Sequence, residues 1–551
     1  MEPKSPSKSK LQSAGFSPKS RLRKFVVITI FIILILGIIG GYFIFKEHIL
    51  ISQKPTSYFT VVIDCGSTGS RVNVFEWMIG NKSKIHENLP ILLHIYPDNV
   101  NKTNSCQYHC MQTEPGLHNF VDDEFRVRAS LEPLIRYAEK WVPSERRPQT
   151  PIFVLATAGM RRLASDDARR ILQNVEDVVQ EHGFMYRKNW IRVLSGKEEA
   201  YYGWVALNYK MGIFRSSSRL STLGLLDLGG SSLQVVAEVG FPTDNEHGSR
   251  SKIGLFEHDI VAYSLPAFGL NEAFDRTIVM LSHTEALRES SNGVFEIGHP
   301  CLGSGFVQNY TCRGCFGLES RVSGNFGYRV FLVGEPNWKQ CEIIARAAAV
   351  NSTSFDLSNQ RSRSNCIGLF SYGDNNTNLN LTKNLHAVSR YHALSGFFAV
   401  YNALNLSQSA NLTSLREMGQ KLCSRSSPDQ KSINGRYCFR VPYLTSLIEN
   451  ALCLGGAEII FGPGDVSWTL GASLIEGEFL LWLHAGKSQN HFLTLKDNVI
   501  IPSPLLTFVL LLSLLLIVYC CQIKFLMPGR KIIVGTRTSL PSYLCPKLQP
   551  N

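Results

Sequence analysis

Two similar short motifs constrain the fold of this chain more than any other feature. The first, IDCGSTGSR, spans Ile63–Arg71, and the second, LLDLGGSSLQV, spans Leu225–Val235. In each motif an apolar run ends in an aspartate, Asp64 or Asp227, and leads directly into glycines and hydroxyl residues. Free N–H and hydroxyl groups in such a loop can surround a phosphate, while the carboxylate beside them suits a metal ion. The pair therefore predicts two related half-structures whose loops face one phosphate chain from opposite sides.

Two long uncharged segments predict membrane spans. Phe25–Phe45 has 21 residues and Val499–Ile523 has 25, so each can cross a bilayer as a helix. Residues 1–24 carry seven bases and one acid, and residues 524–551 carry five bases and no acid. The positive-inside rule then places both tails in the cytosol. A cleaved signal peptide would have a shorter apolar core, and the length of the second segment disfavours a buried core helix. Residues 46–57 are expected to form a stalk.

The net charge of +12 reflects this topology. The two tails hold eleven of those charges, so the basic character does not indicate nucleic-acid binding. Residues between the spans are expected on the lumenal or extracellular side. The tails contain no reliable targeting motif, so the protein could reside in the Golgi, in another endomembrane or in the plasma membrane. Two spans per chain allow helix pairing in the bilayer, so an oligomer is compatible with the sequence.

Glycosylation and cysteine patterns support the same sidedness. Eight Asn-x-Ser/Thr sequons all lie between the spans, at Asn81, Asn101, Asn309, Asn351, Asn375, Asn380, Asn405 and Asn411. Ten cysteines in loop-like sequence predict about five disulfides of open connectivity: Cys106, Cys110, Cys301, Cys312, Cys315, Cys341, Cys366, Cys423, Cys438 and Cys453. The CRGC pair would be half of a zinc site, but no second ligand pair follows. Cys65 is expected to be a small buried thiol beneath the first loop.

Strands alternating with helices predict an α/β architecture with mixed sheets. In the first half, strands are predicted at Phe59–Ile63, Arg71–Trp77, Ile91–Tyr96, Pro151–Ala156 and Trp190–Leu194, and helices at Glu124–Trp141, Ser165–His182 with Ser165 as N-cap, and Lys197–Tyr209. In the second half, a strand from Thr222 and the strand Ser232–Val239 flank the loop, followed by a helix at Tyr391–Leu404, a strand at Ala457–Phe461 and a helix at Trp468–Leu483. We expect lobe I at 58–195, completed by about 466–498, and lobe II at 196–465.

Four stretches in fixed order resemble the apyrase conserved regions of the nucleoside triphosphate diphosphohydrolases. They are DCGSTGSR, ATAGMR (Ala156–Arg161), SGKEEAYYGW (Ser195–Trp204) and LDLGGSSLQV, and WTLGA (Trp468–Ala472) resembles the fifth. The double anchor is most similar to membrane-bound plant-type apyrases. The resemblance implies the actin/hexokinase/heat-shock ATPase fold, two ribonuclease-H-like lobes with the nucleotide in the cleft between them. It also implies hydrolysis of nucleoside tri- and diphosphates with Ca²⁺ or Mg²⁺ and without a phosphoenzyme.

The resemblance further implies roles for individual residues. Asp64 and Asp227 would hold a metal ion through its hydration shell, and Thr157 would contact the metal or the terminal phosphate. Glu199 would be the general base, with Ser232 and Gln234 positioning the attacking water. The implied phosphate-binding residues are Gly66, Ser67, Thr68, Gly69, Ser70, Arg71, Thr157, Ala158, Gly229, Gly230 and Ser231. Phe398 and Tyr401 are candidates for contacting the base of the bound nucleotide.

The chemistry of phosphoryl transfer suits these assignments, because it needs charge neutralisation, alignment and a positioned water more than covalent catalysis. Glu198 and Glu199 are neighbours near a helix start and point about 100° apart, so only one can face the cleft. Arg71 and Arg161 could meet phosphate or pair with carboxylates. Gly69 occupies a position where cell-surface relatives often have His.

Three other functions compete with an apyrase. A sugar kinase or chaperone-type ATPase of the same fold would work in the cytosol and lack the Glu199 motif. A catalytically silent glycosylated adhesion or receptor ectodomain would have lost Asp64, Asp227 or Glu199, and all three are present. A lumenal phosphatase selective for nucleoside diphosphates stays open, because the sequence does not rank ATP, GTP, UDP and GDP.

Overall fold

The structure is a computed structural model. It describes residues 57–78, 89–97, 111–240, 247–284, 288–289, 295–312, 328–350, 366–368, 383–406, 411–423 and 434–477, with isolated residues in 29–41 and at 512 and 515. Both predicted tails, the stalk up to residue 56 and nearly all of both predicted spans lie outside these residues. Among the residues that are described, no helix has both the length and the apolarity needed to cross a bilayer.

Lobe I is built on a mixed sheet with strand order β3-β2-β1-β5-β6. The strands are β1 (Ser57–Cys65), β2 (Ser70–Met78), β3 (Ile91–Tyr96), β4 (Gln112–Thr113, paired with β2), β5 (Ile152–Ala156) and β6 (Ile191–Val193). Pairing is antiparallel for β1–β2 and β2–β3, and parallel for β1–β5 and β5–β6. The predicted strands of this half are therefore confirmed, with bounds that differ by at most two residues.

Helices α1 (Glu124–Trp141), α2 (Ala158–Arg161) and α3 (Ser165–Gln180) complete the described part of this lobe, with 3₁₀ turns at Leu117–Asn119, Arg147–Gln149 and Lys188–Trp190. The predicted helix over Glu124–Trp141 is confirmed, and Asp123 caps it by accepting from the N–H of Arg126 at 3.0 Å. The prediction of Ser165 as N-cap is wrong. Ala164 holds that position in an extended conformation with no side-chain cap, and acids in the first turn offset the helix dipole instead.

Lobe II repeats the sheet of lobe I. Its strand order is β16-β15-β7-β8-β10-β9, formed by β7 (Gly224–Leu228), β8 (Ser232–Glu238), β9 (Gly248–Ile253), β10 (Phe256–Pro266), β15 (Arg390–Ser395) and β16 (Glu458–Phe461). Pairing is antiparallel for β7–β8 and β8–β10, and parallel for β7–β15 and β15–β16. The series β10-β8-β7-β15-β16 thus matches β3-β2-β1-β5-β6 pair by pair. This topology supports the two related half-structures predicted from the paired motifs.

A smaller sheet of order β11-β12-β14-β13 extends lobe II, with β11 (Arg288–Glu289), β12 (Phe295–His299), β13 (Val307–Cys312) and β14 (Tyr328–Gly334). The helices after β6 are α4 (Gly196–Lys210), α5 (Leu270–Thr284), α6 (Trp338–Ala349), α7 (Gly396–Ala403), α8 (Leu412–Cys423) and α9 (Asn434–Ser446), with a π turn at Leu447–Ala451 and a 3₁₀ turn at Ile213–Arg215.

The helix predicted over Tyr391–Leu404 is wrong in its first half. Arg390–Ser395 is a strand between β7 and β16, and the helix begins only at Gly396. A short apolar run has no periodicity that separates a buried strand from a buried helix, so pairing with two neighbouring strands decided the outcome.

A final helix connects the end of the described chain to lobe I. It covers 468–477, and the predicted remainder to residue 483 lies outside the described residues. The hydroxyl of Thr469 donates to the Asn73 side chain on β2 at 3.0 Å, and Ser473 hydrogen-bonds to Thr60 on β1. These contacts link a segment near residue 470 to the first strands of the fold.

Disulfides join the insertions of lobe II. The described pairs are Cys301–Cys341, Cys366–Cys453 and Cys423–Cys438. Cys312 is also disulfide-bonded, which removes it from a zinc site, while Cys106, Cys110 and Cys315 lie outside the described residues.

Cys65 has a buried free thiol, as predicted, and burial raises its pKa to about 12. The sequon residues Asn309, Asn405 and Asn411 are exposed, and the other five lie outside the described residues.

Candidate active site

Each sequence motif forms the turn of a β-hairpin. In the first, between β1 and β2, the N–H of Gly66 donates to the carbonyl of Gly69 at 3.0 Å, and Asp64 lies opposite Arg71. In the second, between β7 and β8, the N–H of Gly229 donates to the carbonyl of Ser232 at 2.9 Å, and Asp227 lies opposite Gln234. The two hairpins therefore present an aspartate and a glycine-rich turn in the same relative positions.

The two turns line one cleft of about 490 Å³, together with Thr157, Ala158 and Glu199. A Cβ placed on Gly230 of the second turn would lie 3.3 Å from the hydroxyl of Ser67 in the first turn. The turns thus almost touch across the cleft. Their facing positions match the arrangement that the paired motifs predict.

Gly69 and Ser70 are the two predicted phosphate contacts that do not reach the cleft wall. Gly69 packs against β4, where an added Cβ would lie 2.4 Å from the carbonyl oxygen of Thr113. Ser70 begins β2 and is fully buried. The other predicted phosphate-binding residues line the cleft: Gly66, Ser67, Thr68, Arg71, Thr157, Ala158, Gly229, Gly230 and Ser231.

Asp64 and Asp227 are buried carboxylates that face the same cleft. Burial raises the pKa of Asp64 to about 6, partly offset by Arg71, and the charge of Asp227 adds to the increase. Burial also raises the pKa of Asp227, and a hydrogen bond from Ser395 opposes this effect. Both acids are thus held in surroundings that disfavour their charge unless a cation is present.

This donor set fits a hard divalent cation. One carboxylate oxygen of Asp64, Oδ1, is buried without a hydrogen-bond partner among the described residues. Thr157, which is also buried, adds a hydroxyl to the same wall. Across the described chain, no three acidic, histidine or cysteine side chains form a direct metal cage. Two carboxylates and a hydroxyl therefore suit an ion that keeps much of its water, as Mg²⁺ usually does.

Glu199 faces the cleft and its neighbour Glu198 does not. Ser195 caps α4 and forms a capping box with Glu198, whose carboxylate also pairs with Arg192 at 2.7 Å. Glu199 is buried, lines the cleft and accepts from Arg161 at 2.8 Å. Burial raises the pKa of Glu199 to about 7, partly offset by Arg161. The expectation that one of the two glutamates points inward is confirmed, and the capping box explains which one.

Ser232 and Gln234 lie beside each other on β8 and line the cleft. The side-chain amide of Gln234 donates to the hydroxyl of Ser232 at 2.8 Å and to the hydroxyl of Ser264 at 3.0 Å. Ser264 lies opposite Gln234 on β10. It belongs to no motif, and only the strand register brings it to the site.

Arg71 and Arg161 both pair with cleft carboxylates. Arg71 contacts Asp64 at 3.5 Å and donates to the hydroxyl of Thr68 at 3.1 Å. Arg161 pairs with Glu199 and donates to the carbonyl of Leu194 at 3.1 Å. Of the two, only Arg71 also lines the cleft.

Phe398 and Tyr401 occupy different environments. Phe398 lines the cleft and packs against the loop after β16, where a Cβ on Gly464 would lie 2.3 Å from its ring. Tyr401 is buried in the core of lobe II and stacks on Phe461 at a centroid distance of 4.5 Å. The expected base contact at Tyr401 is therefore corrected. One turn of α7 packs that ring against β16, away from the cleft.

Ser395 is a site residue that the sequence analysis missed. It ends β15 and precedes α7, lines the cleft, and adopts φ 52° and ψ −115°. A positive φ is strained for a residue other than glycine. The strained turn brings its side chain to Asp227. A serine between a strand and a helix has no sequence signal that marks such a contact.

Comparison with known proteins identifies the family. A sequence model of the GDA1/CD39 (nucleoside phosphatase) family matches residues 50–485. The chain is 35% identical over 519 residues to probable apyrase 7 of Arabidopsis thaliana, covering 91% of this chain and 67% of that protein. It is 28% identical over 440 residues to the apyrase of Solanum tuberosum, covering 76% and 85%. It is 32% identical over 265 residues to the guanosine-diphosphatase of Schizosaccharomyces pombe, covering 46% and 44%.

The fold has a solved counterpart. A crystal structure of nucleoside triphosphate hydrolases from Neospora caninum matches with a TM-score of 0.54 at 14% identity, covering 81% of this chain and 97% of that one. At this identity the likeness shows the fold alone, an α/β fold that resembles the actin/hexokinase-like nucleoside triphosphate hydrolases. The family match spans both hairpin turns, Glu199 and the closing helix. The chain therefore belongs to the GDA1/CD39 nucleoside phosphatase family and is a nucleoside phosphohydrolase.

Proposed function

We propose that this protein is a membrane-anchored apyrase that removes the terminal phosphate from nucleoside tri- and diphosphates. The position of Glu199 carries the proposal. Its carboxylate is buried in the cleft together with Asp64 and Asp227. Burial raises its pKa to about 7, and the charges of the two aspartates add to the increase. A base with a pKa near neutrality can accept a proton from water at the pH where the enzyme works.

The attacking water would lie between Glu199 and the pair formed by Ser232 and Gln234. Gln234 uses its amide nitrogen on Ser232 and Ser264, so its amide oxygen is directed by two fixed hydrogen bonds. Water loses a proton to the carboxylate of Glu199 as its oxygen attacks the terminal phosphorus. The bond to the bridging oxygen breaks, and the shortened nucleotide leaves with the electron pair.

The hairpin turns would hold the phosphates. Backbone N–H groups and hydroxyls from Ser67 and Thr68 on one side, and from Gly230 and Ser231 on the other, line the space between the lobes. A bound Ca²⁺ or Mg²⁺ would neutralise charge on the phosphate oxygens. Asp64 and Asp227 would hold this ion mainly through water, with Thr157 beside it.

The adenine, guanine or uracil base of the nucleotide would lie at the end of the cleft near Phe398. This ring packs on the loop at Gly464 on one side and borders the cleft on the other. An aromatic face supported by backbone offers a rigid stacking surface. The relatives named above include both apyrases and a guanosine-diphosphatase, so the ranking of bases and phosphate chain lengths is left to assay.

Phosphate release tests this function. The full-length chain would be purified and assayed with ATP, ADP, GDP and UDP, in Ca²⁺, in Mg²⁺ and in chelator. Glu199→Gln should lower kcat by about 10³-fold, within the range of a lost general base. Glu198→Gln is the matched control, because it changes the neighbouring carboxylate that faces away from the cleft, and it should retain activity.

Each outcome has a distinct meaning. Metal-dependent release that is lost only in Glu199→Gln supports the mechanism. Release from diphosphates alone would support a phosphatase selective for nucleoside diphosphates. A folded chain that releases no phosphate from any substrate would overturn the proposal and favour a silent binding ectodomain.

The proposed location is an organelle of the secretory pathway or the plasma membrane, with both termini in the cytosol and the catalytic lobes on the other side. The two uncharged segments, the basic tails and the placement of all eight sequons between the segments support it. In sealed microsomes, tags at both termini should be digested by added protease while the central region is protected. Removal of N-glycans should also increase the mobility of the protected central fragment on a gel. An N-terminal tag that resists the protease would contradict this topology.

A further inference from the structure

Arg162 crosses from lobe I to the second phosphate turn in lobe II. It follows α2 directly, outside the five motifs described above. One nitrogen of its guanidinium, Nη1, lies 2.7 Å from the carboxylate of Glu272, and Nη2 donates to the hydroxyl of Ser231. Ser231 lies in turn 3.4 Å from the same oxygen of Glu272. Arg162, Ser231 and Glu272 therefore form one contact between the lobes, at the edge of the cleft.

Glu272 is the more enclosed member of this contact. It lies in the first turn of α5, and its side chain is 12% exposed, against 41% for Arg162. Its charge is balanced mainly from lobe I. Arg276, one helical turn further on, is also an electrostatic neighbour, but its guanidinium donates to the carbonyls of Ala348 and Ala267.

We propose that Arg162 is a positioning residue for substrate binding, because it neutralises Glu272 beside the second phosphate turn and holds the hydroxyl of Ser231. Without Arg162, a partly buried carboxylate would lie without its cation next to a turn that would bind polyanions. Without Glu272, the guanidinium would be an unbalanced cation at the same place. This inference rests on the proposed role of Ser231 as a phosphate contact.

The two partners should therefore act in opposite directions. Removing Arg162 leaves a negative charge that repels the substrate, and the repulsion grows with the charge of the phosphate chain. Removing the charge of Glu272 leaves a positive charge that attracts it. A contact that only stabilised the fold would weaken binding, or leave it unchanged, whichever partner is removed.

The test compares Arg162→Ala, Glu272→Gln and the double variant in the full-length chain. We expect Arg162→Ala to raise KM for ATP by about tenfold, and Glu272→Gln to lower it by about threefold, as expected for a unit charge at several ångströms in partly solvated surroundings. The double variant should have a KM within about threefold of that of wild type, because the two opposite charges are removed together. The changes should be smaller for ADP, and kcat should change less than KM.

Affinity for a nonhydrolysable ATP analogue, AMP-PNP, measured by calorimetry separates binding from turnover. Arg128→Ala is the matched control, since Arg128 contacts Glu181 at 2.6 Å within lobe I and away from the cleft. This control should leave both KM and the affinity unchanged. Thermal unfolding of each variant verifies that it is folded.

The outcomes distinguish this inference from the proposed function. If wild type hydrolyses ATP but Arg162→Ala and Glu272→Gln shift affinity in the same direction, the charge-balancing role is overturned and the function stands. If wild type binds AMP-PNP without hydrolysis, the function fails while the opposite shifts still support Arg162. If wild type neither binds nor hydrolyses, both are overturned.

Discussion

The two glycine-rich hairpins have the same backbone arrangement, but the side chains around their aspartates differ. Asp64 lies across the strand pair from Arg71, while Asp227 lies across from Gln234 at the equivalent position. In the first hairpin the cross-strand residue is a cation that pairs with the aspartate. In the second it is neutral and turns to the serines of its own sheet, and Asp227 receives a hydrogen bond from Ser395 instead.

The residue opposite the aspartate therefore differs in charge between the lobes: it is Arg71 in lobe I and Gln234 in lobe II. Side chains directly opposite each other on antiparallel strands share a face of the sheet, so each can serve the aspartate beside it. Arg71 adds positive charge where phosphate would bind. Gln234 adds a hydrogen-bonding amide where water would be aligned. The repeated fold places one carboxylate in each hairpin, and the residue paired with it would give each lobe a different role.

The turns are also supported differently. The first is covered by β4, whose Thr113 carbonyl leaves no room beside Gly69. The second is held from the side by the start of α5, where the N–H groups of Leu270 and Asn271 donate to the carbonyls of Gly229 and Gly230 at 3.0 and 2.9 Å. The first turn is thus restricted by packing, and the second by hydrogen bonds.

The largest expected effect tests whether the two aspartates are equivalent towards the cation. Asp64→Asn and Asp227→Asn should each lower kcat/KM by about 10³-fold, because each removes a charge that would hold the ion and so would weaken its stabilisation of phosphate. The half-saturating concentration of Ca²⁺ should rise in both. Asp166→Asn, an exposed change on α3, is the control. Normal activity in either cleft variant would show that one hairpin alone holds the metal.

Much of this site could be predicted because the information is local. A strand, an aspartate and a glycine-rich turn are adjacent in sequence, and so are the capping box and Glu199. The paired motifs therefore predict two related half-structures with facing turns. The resemblance of Ser195–Trp204 to an apyrase conserved region implies that Glu199 is the glutamate that faces the cleft.

The remaining residues reach the site through long-range register. Ser264 and Ser395 are ordinary strand residues until β10 pairs with β8 and β15 pairs with β7. Arg162 and Glu272 are 110 positions apart, and only the approach of the lobes brings them together. The strand at Arg390–Ser395 was missed for the same reason, since its neighbours in the sheet are distant in sequence.

A second prediction compares the packing of the two turns. Gly69→Ala would place a Cβ 2.4 Å from a backbone oxygen of β4, whereas Gly229→Ala would place one 3.3 Å from the carbonyl oxygen of Ser232. The first should lower the free energy of unfolding by about 3 kcal/mol, because a rigid backbone atom must move. The second should cost less than about 1 kcal/mol. Chemical denaturation of the full-length chain in chelator measures both, and equal losses would contradict the difference in support.

A third prediction uses the pH dependence of stability without metal. The folded-state pKa of each aspartate is raised above its ordinary value, to about 6 for Asp64. Each group therefore favours folding at low pH, and that contribution is lost as pH rises through the raised pKa. Asparagine removes this loss, so Asp227→Asn should raise the melting temperature above pH 7, by about 2 °C for a chain of this size.

The matched variant in the first hairpin, Asp64→Asn, tests whether the two aspartates affect stability equally. Asp64→Asn should raise the melting temperature less, because it leaves the partly buried Arg71 without its carboxylate partner, beside a neutral amide. Near pH 3.5 both differences from wild type should nearly vanish, since the aspartates are then largely protonated in the folded protein. Equal increases in melting temperature for the two variants at pH 8 would mean that the ion pair with Arg71 does not offset the cost of burying Asp64.

In the second hairpin, Asp227 accepts a hydrogen bond from Ser395 where Asp64 of the first hairpin has an ion pair. Removal of this hydrogen bond has the smallest expected effect. Ser395→Ala and Ser395→Gly both remove the contact with Asp227, so each should lower kcat/KM by about tenfold, the effect of one hydrogen bond to a charged group. Their stabilities should differ, because only glycine adopts a φ of 52° without strain. We expect Ser395→Gly to be more stable than Ser395→Ala by about 1 kcal/mol. If Ser395→Gly keeps full activity, the serine hydroxyl does not position Asp227, and the strained turn must then act through the backbone of α7.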